Sequence, residues 1–134
     1  MDDHQNASER HLQDAEFLFA QAPKRLANAS HLFGLSAECS LKAFAKTVNS
    51  NATFGGSNGH IPKLFAELQN VSPAIGGNAT LSNHIAAIRP RFMHWKVSQR
   101  YASQITFIQE TVADEQTGAN EAHLLMTNCL KGLI

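Results

Sequence analysis

The residues best suited to chemistry lie in one stretch, Arg89-Pro90-Arg91-Phe92-Met93-His94-Trp95-Lys96-Val97-Ser98-Gln99-Arg100-Tyr101. It holds three arginines, a lysine, a histidine, and the only tryptophan and only tyrosine of the chain. Arginine offers forked N–H donors that match phosphate oxygens. Aromatic rings stack on nucleobases, and histidine moves protons near neutral pH. By type, Arg91, Trp95, Lys96, Arg100 and Tyr101 are candidates for holding a nucleotide or nucleic acid, and His94 for proton transfer. The segment has a plainer reading too, in which Phe92, Met93 and Trp95 anchor a loop to the core and the charges are solvated.

Few other motifs carry chemistry. Gly55-Gly56-Ser57-Asn58-Gly59 lacks the lysine and the preceding strand of a phosphate-binding loop. Neither an HExxH nor a paired CxxC occurs, so no metal site and no cofactor is expected. Cys39 and Cys129 are far apart and read as buried thiols. Glu38 reads first as an i,i+4 ion-pair partner of Lys42, and as a support for the basic segment if it faces it. His31 is a second candidate support, on the polar edge of its helix. His60 reads as a helix-start residue, and His11, His84 and His123 as surface or satisfied helix positions.

A chain of 134 residues with 43% apolar content suits one domain with one core. Its formal net charge is zero, so an anion site must be local rather than a property of the whole surface. No run approaches the roughly 18 apolar residues of a membrane helix. The start, Met1-Asp2-Asp3-His4-Gln5, is acidic and polar, unlike a signal peptide. A cytoplasmic protein away from the membrane is the expectation, and the Asn-Ala-Ser/Thr triplets at Asn6, Asn28, Asn51 and Asn78 read as chance and cap chemistry.

These residues must be positioned by helices. Asn6 with Glu9 forms a capping-box pattern, and Leu12, Ala15, Phe19 and Ala22 follow at helical spacing. Pro23 suits the first turn of a second helix, in which Leu26, Ala29, Phe33, Ala37, Leu41, Phe44 and Val48 step by three and four. Ala27, Ser30, Gly34 and Ala37 form a small-residue stripe that would let a neighbouring helix, from this chain or a second copy, approach closely. The pattern predicts a helical hairpin over about 6–48, a loop over 49–60, and short helices over about 61–71 and 79–89. Pro73 and Gly76-Gly77 mark the break between the short helices, and Pro90 stops the second of them. An irregular connector over 90–103 and a last helix over about 104–131 complete the chain, with Gly118 a point of weakness. No period-two run survives as a strand, so the expectation is an all-α antiparallel bundle of about five helices.

Ala29-Ser30-His31-Leu32-Phe33-Gly34-Leu35-Ser36-Ala37-Glu38-Cys39-Ser40-Leu41-Lys42-Ala43 resembles the second helix of HEPN domains (higher eukaryotes and prokaryotes nucleotide-binding). His60 with Ile61, Leu64 and Leu68 is similar to their short third helix, and Trp95-Lys96-Val97 with Arg100-Tyr101 to a pattern of bacterial members. The resemblance implies an antiparallel bundle that often forms a homodimer. Many members are metal-independent ribonucleases, commonly the toxin of a toxin–antitoxin pair beside a small nucleotidyltransferase. Their signature is an arginine, four to six residues, then a histidine, which Arg89 and His94 match with four between them. In that case Arg89 steadies the scissile phosphate and His94 acts as acid or base. Other members bind nucleotides or partner proteins without catalysis. A ribonuclease, a non-catalytic nucleotide- or partner-binding module, and a structural helical adaptor are the three classes that remain.

Overall fold

A computed structural model of the chain describes residues 3–54, 56–71 and 79–133. They form five α-helices and no strand: α1 His4–Phe19, α2 Leu26–Val48, α3 Lys63–Val71, α4 Ala79–Ile88 and α5 Gln109–Leu130. The all-α bundle is therefore as expected. The break assigned to Pro73 and Gly76-Gly77, and the position of Gly55 in the first loop, lie outside the described residues.

Helices α1, α2 and α5 make the main layer. Ser8 of α1 reaches both partners: its carbonyl accepts from the Ser36 hydroxyl at 2.8 Å, and its own hydroxyl contacts Met126 Sδ at 3.5 Å. At the other end of α1, Phe19 meets Phe33 edge to face, and Glu16 accepts from Gln116 and Asn120. Helix α1 is thus antiparallel to both α2 and α5, which run in the same direction. The apolar steps of α2 close the centre, with Phe33, Ala37, Leu41 and Phe44 wholly buried. Burying such a side chain stabilises by about 1.5–3 kcal/mol. Leu64, Phe65 and Leu68 of α3 and Ile85 and Ile88 of α4 extend this core.

Several boundaries differ from the sequence pattern, each for a reason beyond local periodicity. Helix α1 starts two residues early because Asp3, not Asn6, is its cap: the Asp3 carboxylate accepts the Asn6 N–H at 2.9 Å. Pro23 lies in the connection rather than in the first turn of α2. The first turn of α2 is satisfied from far away, since Ala27 N–H donates to Gln104 Oε1 at 2.8 Å. Gln104 was expected to open the last helix. Instead it sits in a 3-10 turn, Gln104–Thr106, and the helix begins at Gln109.

The connector is more ordered than its lack of period suggests. It is built of 3-10 turns, Arg89–Phe92, Val97–Tyr101 and Gln104–Thr106. Two glycines admit it to the bundle. A Cβ on Gly118 would lie 2.6 Å from the Phe92 ring and 2.7 Å from Arg91 Cβ, so Gly118 is a seat for the first turn and α5 continues through it unbroken. A Cβ on Gly34 would lie 1.9 Å from the Trp95 indole. At Gly34 the small-residue stripe of α2 thus receives a tryptophan from the connector, while Ser30 of the same stripe meets Glu115 of α5.

Candidate functional site

Trp95 fixes the site. Its ring is buried against α2, its Nε1–H donates to the Ser30 carbonyl at 2.9 Å, and it stacks on His31 with ring centroids 6.0 Å apart. Phe92 is buried as well and stacks on Phe65 at 6.5 Å, whereas Met93, expected to be a third anchor, is 72% exposed. Two aromatic wedges therefore hold the connector, and Met93, His94 and Lys96 beside them are left at the surface.

His94 and Lys96, on either side of Trp95, line a cavity of about 430 Å³. Its inner wall is polar and buried: Ser30 of α2, Gln99 of the second turn and Glu115 of α5. Phe107 and Ile108 supply an apolar side. The three buried polar groups form a chain with a fixed direction. Lys96 N–H donates to Gln99 Oε1 at 3.1 Å, which orients the Gln99 amide. Gln99 Nε2 donates to Ser30 Oγ at 2.7 Å, and Ser30 Oγ donates to Glu115 Oε1 at 2.6 Å. Among the described residues, Ser30 Oγ is the one hydrogen-bond donor to the Glu115 carboxylate, and it reaches Oε1. Burial pushes the Glu115 carboxyl up to about 7, against the Ser30 hydrogen bond, which favours the charged form, and with a smaller upward push from Asp114. A buried carboxyl poised near neutral pH at the end of a polar chain, facing a cavity, is a mark of a functional site.

Sequence reasoning did not single out Ser30, Gln99 and Glu115 as site residues. A signal existed for Glu115. The apolar face of the last helix reads Ile108, Val112, then Ala119, and the missing step falls on an acid. Ser30 was visible only as one of the small residues of its stripe.

The other candidates are dispersed. Arg89 opens the first 3-10 turn, is exposed, and does not line the cavity. It does not share a helix with His94, because the turn it opens, which contains Pro90, ends at Phe92. Arg91 is engaged by α5, 2.8 Å from Asp114 and 3.8 Å from Glu121. The Arg100 guanidinium lies 4.9 Å from the centre of the Tyr101 ring, and both residues are exposed outside the cavity lining. Glu38 does not face the segment. Buried in α2, it takes the Ile61 N–H and His60 Nδ1, each at 3.1 Å, with Lys42 at 3.8 Å, and so ties the start of α3 to α2. His31 is half-buried behind Trp95, its Nδ1 enclosed and without a partner among the described residues. Burial, then the charge of Arg100 and that of His11, lower its pKa.

Among the described residues, no group of three or more His, Cys, Asp or Glu side chains could hold a metal ion, and no helix is long and apolar enough to cross a membrane. Comparison with protein-family models, with curated proteins and with solved structures gives no match.

Proposed function

We propose that the chain is a HEPN-like helical module that binds a nucleotide, free or at an RNA end, in the cavity between α2, α5 and the connector. One observation supports this above the ribonuclease reading. His94 and Lys96 share a cavity with the buried chain Gln99–Ser30–Glu115, while Arg89 lies outside its lining. Lys96 and His94 at the mouth suit a phosphate. The apolar side and the polar inner wall suit a base, the usual division of a small-ligand site. Catalysis by the Arg-His signature would need both side chains on one phosphate. Here the arginine opens a turn that ends at Phe92, and the histidine lies beyond that turn.

Calorimetric titration of the full chain with AMP, GMP, CMP and UMP tests the proposal. At least one should bind saturably, Lys96→Ala should weaken it by about tenfold through loss of a charge-assisted contact, and Arg89→Ala should leave it unchanged. The absence of any saturable binding overturns the reading. RNA cleavage by the purified protein that disappears in both Arg89→Ala and His94→Ala would establish the ribonuclease in its place.

A further inference from the structure

The polar chain at the inner wall has a consequence for which base the cavity takes. A hydroxyl can donate or accept, and an amide can be turned over, so such chains are often ambiguous. This one is not. The Lys96 N–H can only donate, so the Gln99 oxygen must point at it and the Gln99 NH2 must point at Ser30. Ser30, already accepting, spends its proton on Glu115 Oε1. Among the described residues, one donor therefore reaches Oε1 and none reaches the second oxygen, Oε2. With the apolar Phe107 and Ile108 in the same lining, that oxygen is a concentrated acceptor.

We infer that Glu115 reads the base of the bound nucleotide and selects guanine, whose N1–H and exocyclic amine present two neighbouring donors to one carboxylate. This rests on the nucleotide reading above and adds the base to it. The other bases fit less well, because each puts an acceptor against an acceptor. Adenine and cytosine pair one amino donor with a ring-nitrogen acceptor, and uracil has a single N–H between two carbonyls. A buried polar group that loses its partner is penalised more than a matched one is rewarded, so discrimination by hydrogen bonding is steep. The same lining holds the exposed Lys96 and His94 as well as the buried carboxylate. A simple cation would be drawn to Glu115 and repelled by Lys96. A ligand with donors at one end and an anion at the other satisfies both. The raised pKa of Glu115 fits an empty acceptor site, in which the carboxylate has lost water and gained only one donor.

Selectivity among nucleotides tests the inference without altering the protein. In calorimetric titrations of the full chain, GMP should bind at least about tenfold more tightly than AMP, CMP or UMP. IMP, which keeps N1–H and lacks the exocyclic amine, should lose about tenfold relative to GMP. Glu115→Gln should abolish the preference for GMP over AMP while the weaker AMP binding persists. Equal affinities for all the nucleotides, or GMP and IMP binding alike, overturn the guanine assignment and leave the nucleotide site standing. Failure of every nucleotide to bind removes both.

Discussion

Two buried glutamates face each other in kind though not in space. Glu38 and Glu115 are 3% and 2% exposed. Glu38 is surrounded by donors, the Ile61 N–H, His60 and Lys42, all from α2 or the start of α3. Glu115 has one neutral donor, Ser30, and a cavity. Burial alone does not distinguish a structural acid from a functional one. What distinguishes them is whether the fold supplies the hydrogen bonds that water gave up. Glu38 repays its burial within the chain. Glu115 is left short, and a ligand is the partner that would complete it.

The largest effect should come from the satisfied acid. Glu38→Ala leaves the Ile61 N–H and Lys42 without their acceptor, and should destabilise the fold by about 4 kcal/mol. Glu38→Gln, which can still accept the Ile61 N–H, should cost less, with both read from urea denaturation. A loss below about 1 kcal/mol for the alanine variant would break the contrast from that side.

Glu115→Gln should do the opposite. An unfolded glutamate ionises near 4.5 and this one near 7, so between those values the folded state holds the extra proton. Stability therefore falls as pH rises through this window and levels off above it. The Gln variant escapes that loss. It should be more stable than the natural protein by at most about 3 kcal/mol at pH 8, and by little near pH 4.5. Asp114, His94 and Lys96 are the titratable neighbours, and all three remain in both proteins. Equal urea midpoints at pH 8 would show that Glu115 is as well served as Glu38.

Gly34→Ala should come next, at about 2 kcal/mol by urea denaturation, because the added methyl collides with the Trp95 indole. It should also weaken nucleotide binding, since Trp95 holds the Ser30 carbonyl beside Glu115. Unchanged stability would mean that Trp95 can move aside. Arg91→Ala should have the smallest effect, under about 1 kcal/mol, because its pairs with Asp114 and Glu121 lie at the surface. It should leave nucleotide binding unchanged in the calorimeter. A large loss of binding would return Arg91 to the site.

The helices were legible because α2 writes its buried face plainly, with Phe33, Ala37, Leu41 and Phe44 at helical steps. The loop that binds it was legible only as composition. Nothing local says that Arg91 will be engaged by Asp114 and Glu121, far along the chain, or that Met93 will turn outward while Phe92 and Trp95 turn in. The stripe with Gly34 was read correctly as a place of close approach, but the visitor is a side chain 61 residues away in sequence. Glu115 was missed for a related reason: a gap in an apolar stripe looks like noise until Ser30 and Gln99 are seen to meet there.

One of the two wedges that hold the connector is also the chain's only tryptophan, so excitation too long in wavelength for Tyr101 reads a single indole, next in sequence to two residues of the cavity lining. Its enclosed indole should emit at short wavelength, and denaturation should shift that signal to the red. His31 lies nearly parallel to that ring, at an interplanar angle of 11°. A neutral imidazole quenches indole weakly and a protonated one strongly. Acidification should therefore dim the folded protein before it unfolds, at a pH below 6.5, because burial and the charge of Arg100 hold His31 neutral until then. A ligand entering beside Lys96 would be seen by the same lamp, without a label, in the environment of a single side chain.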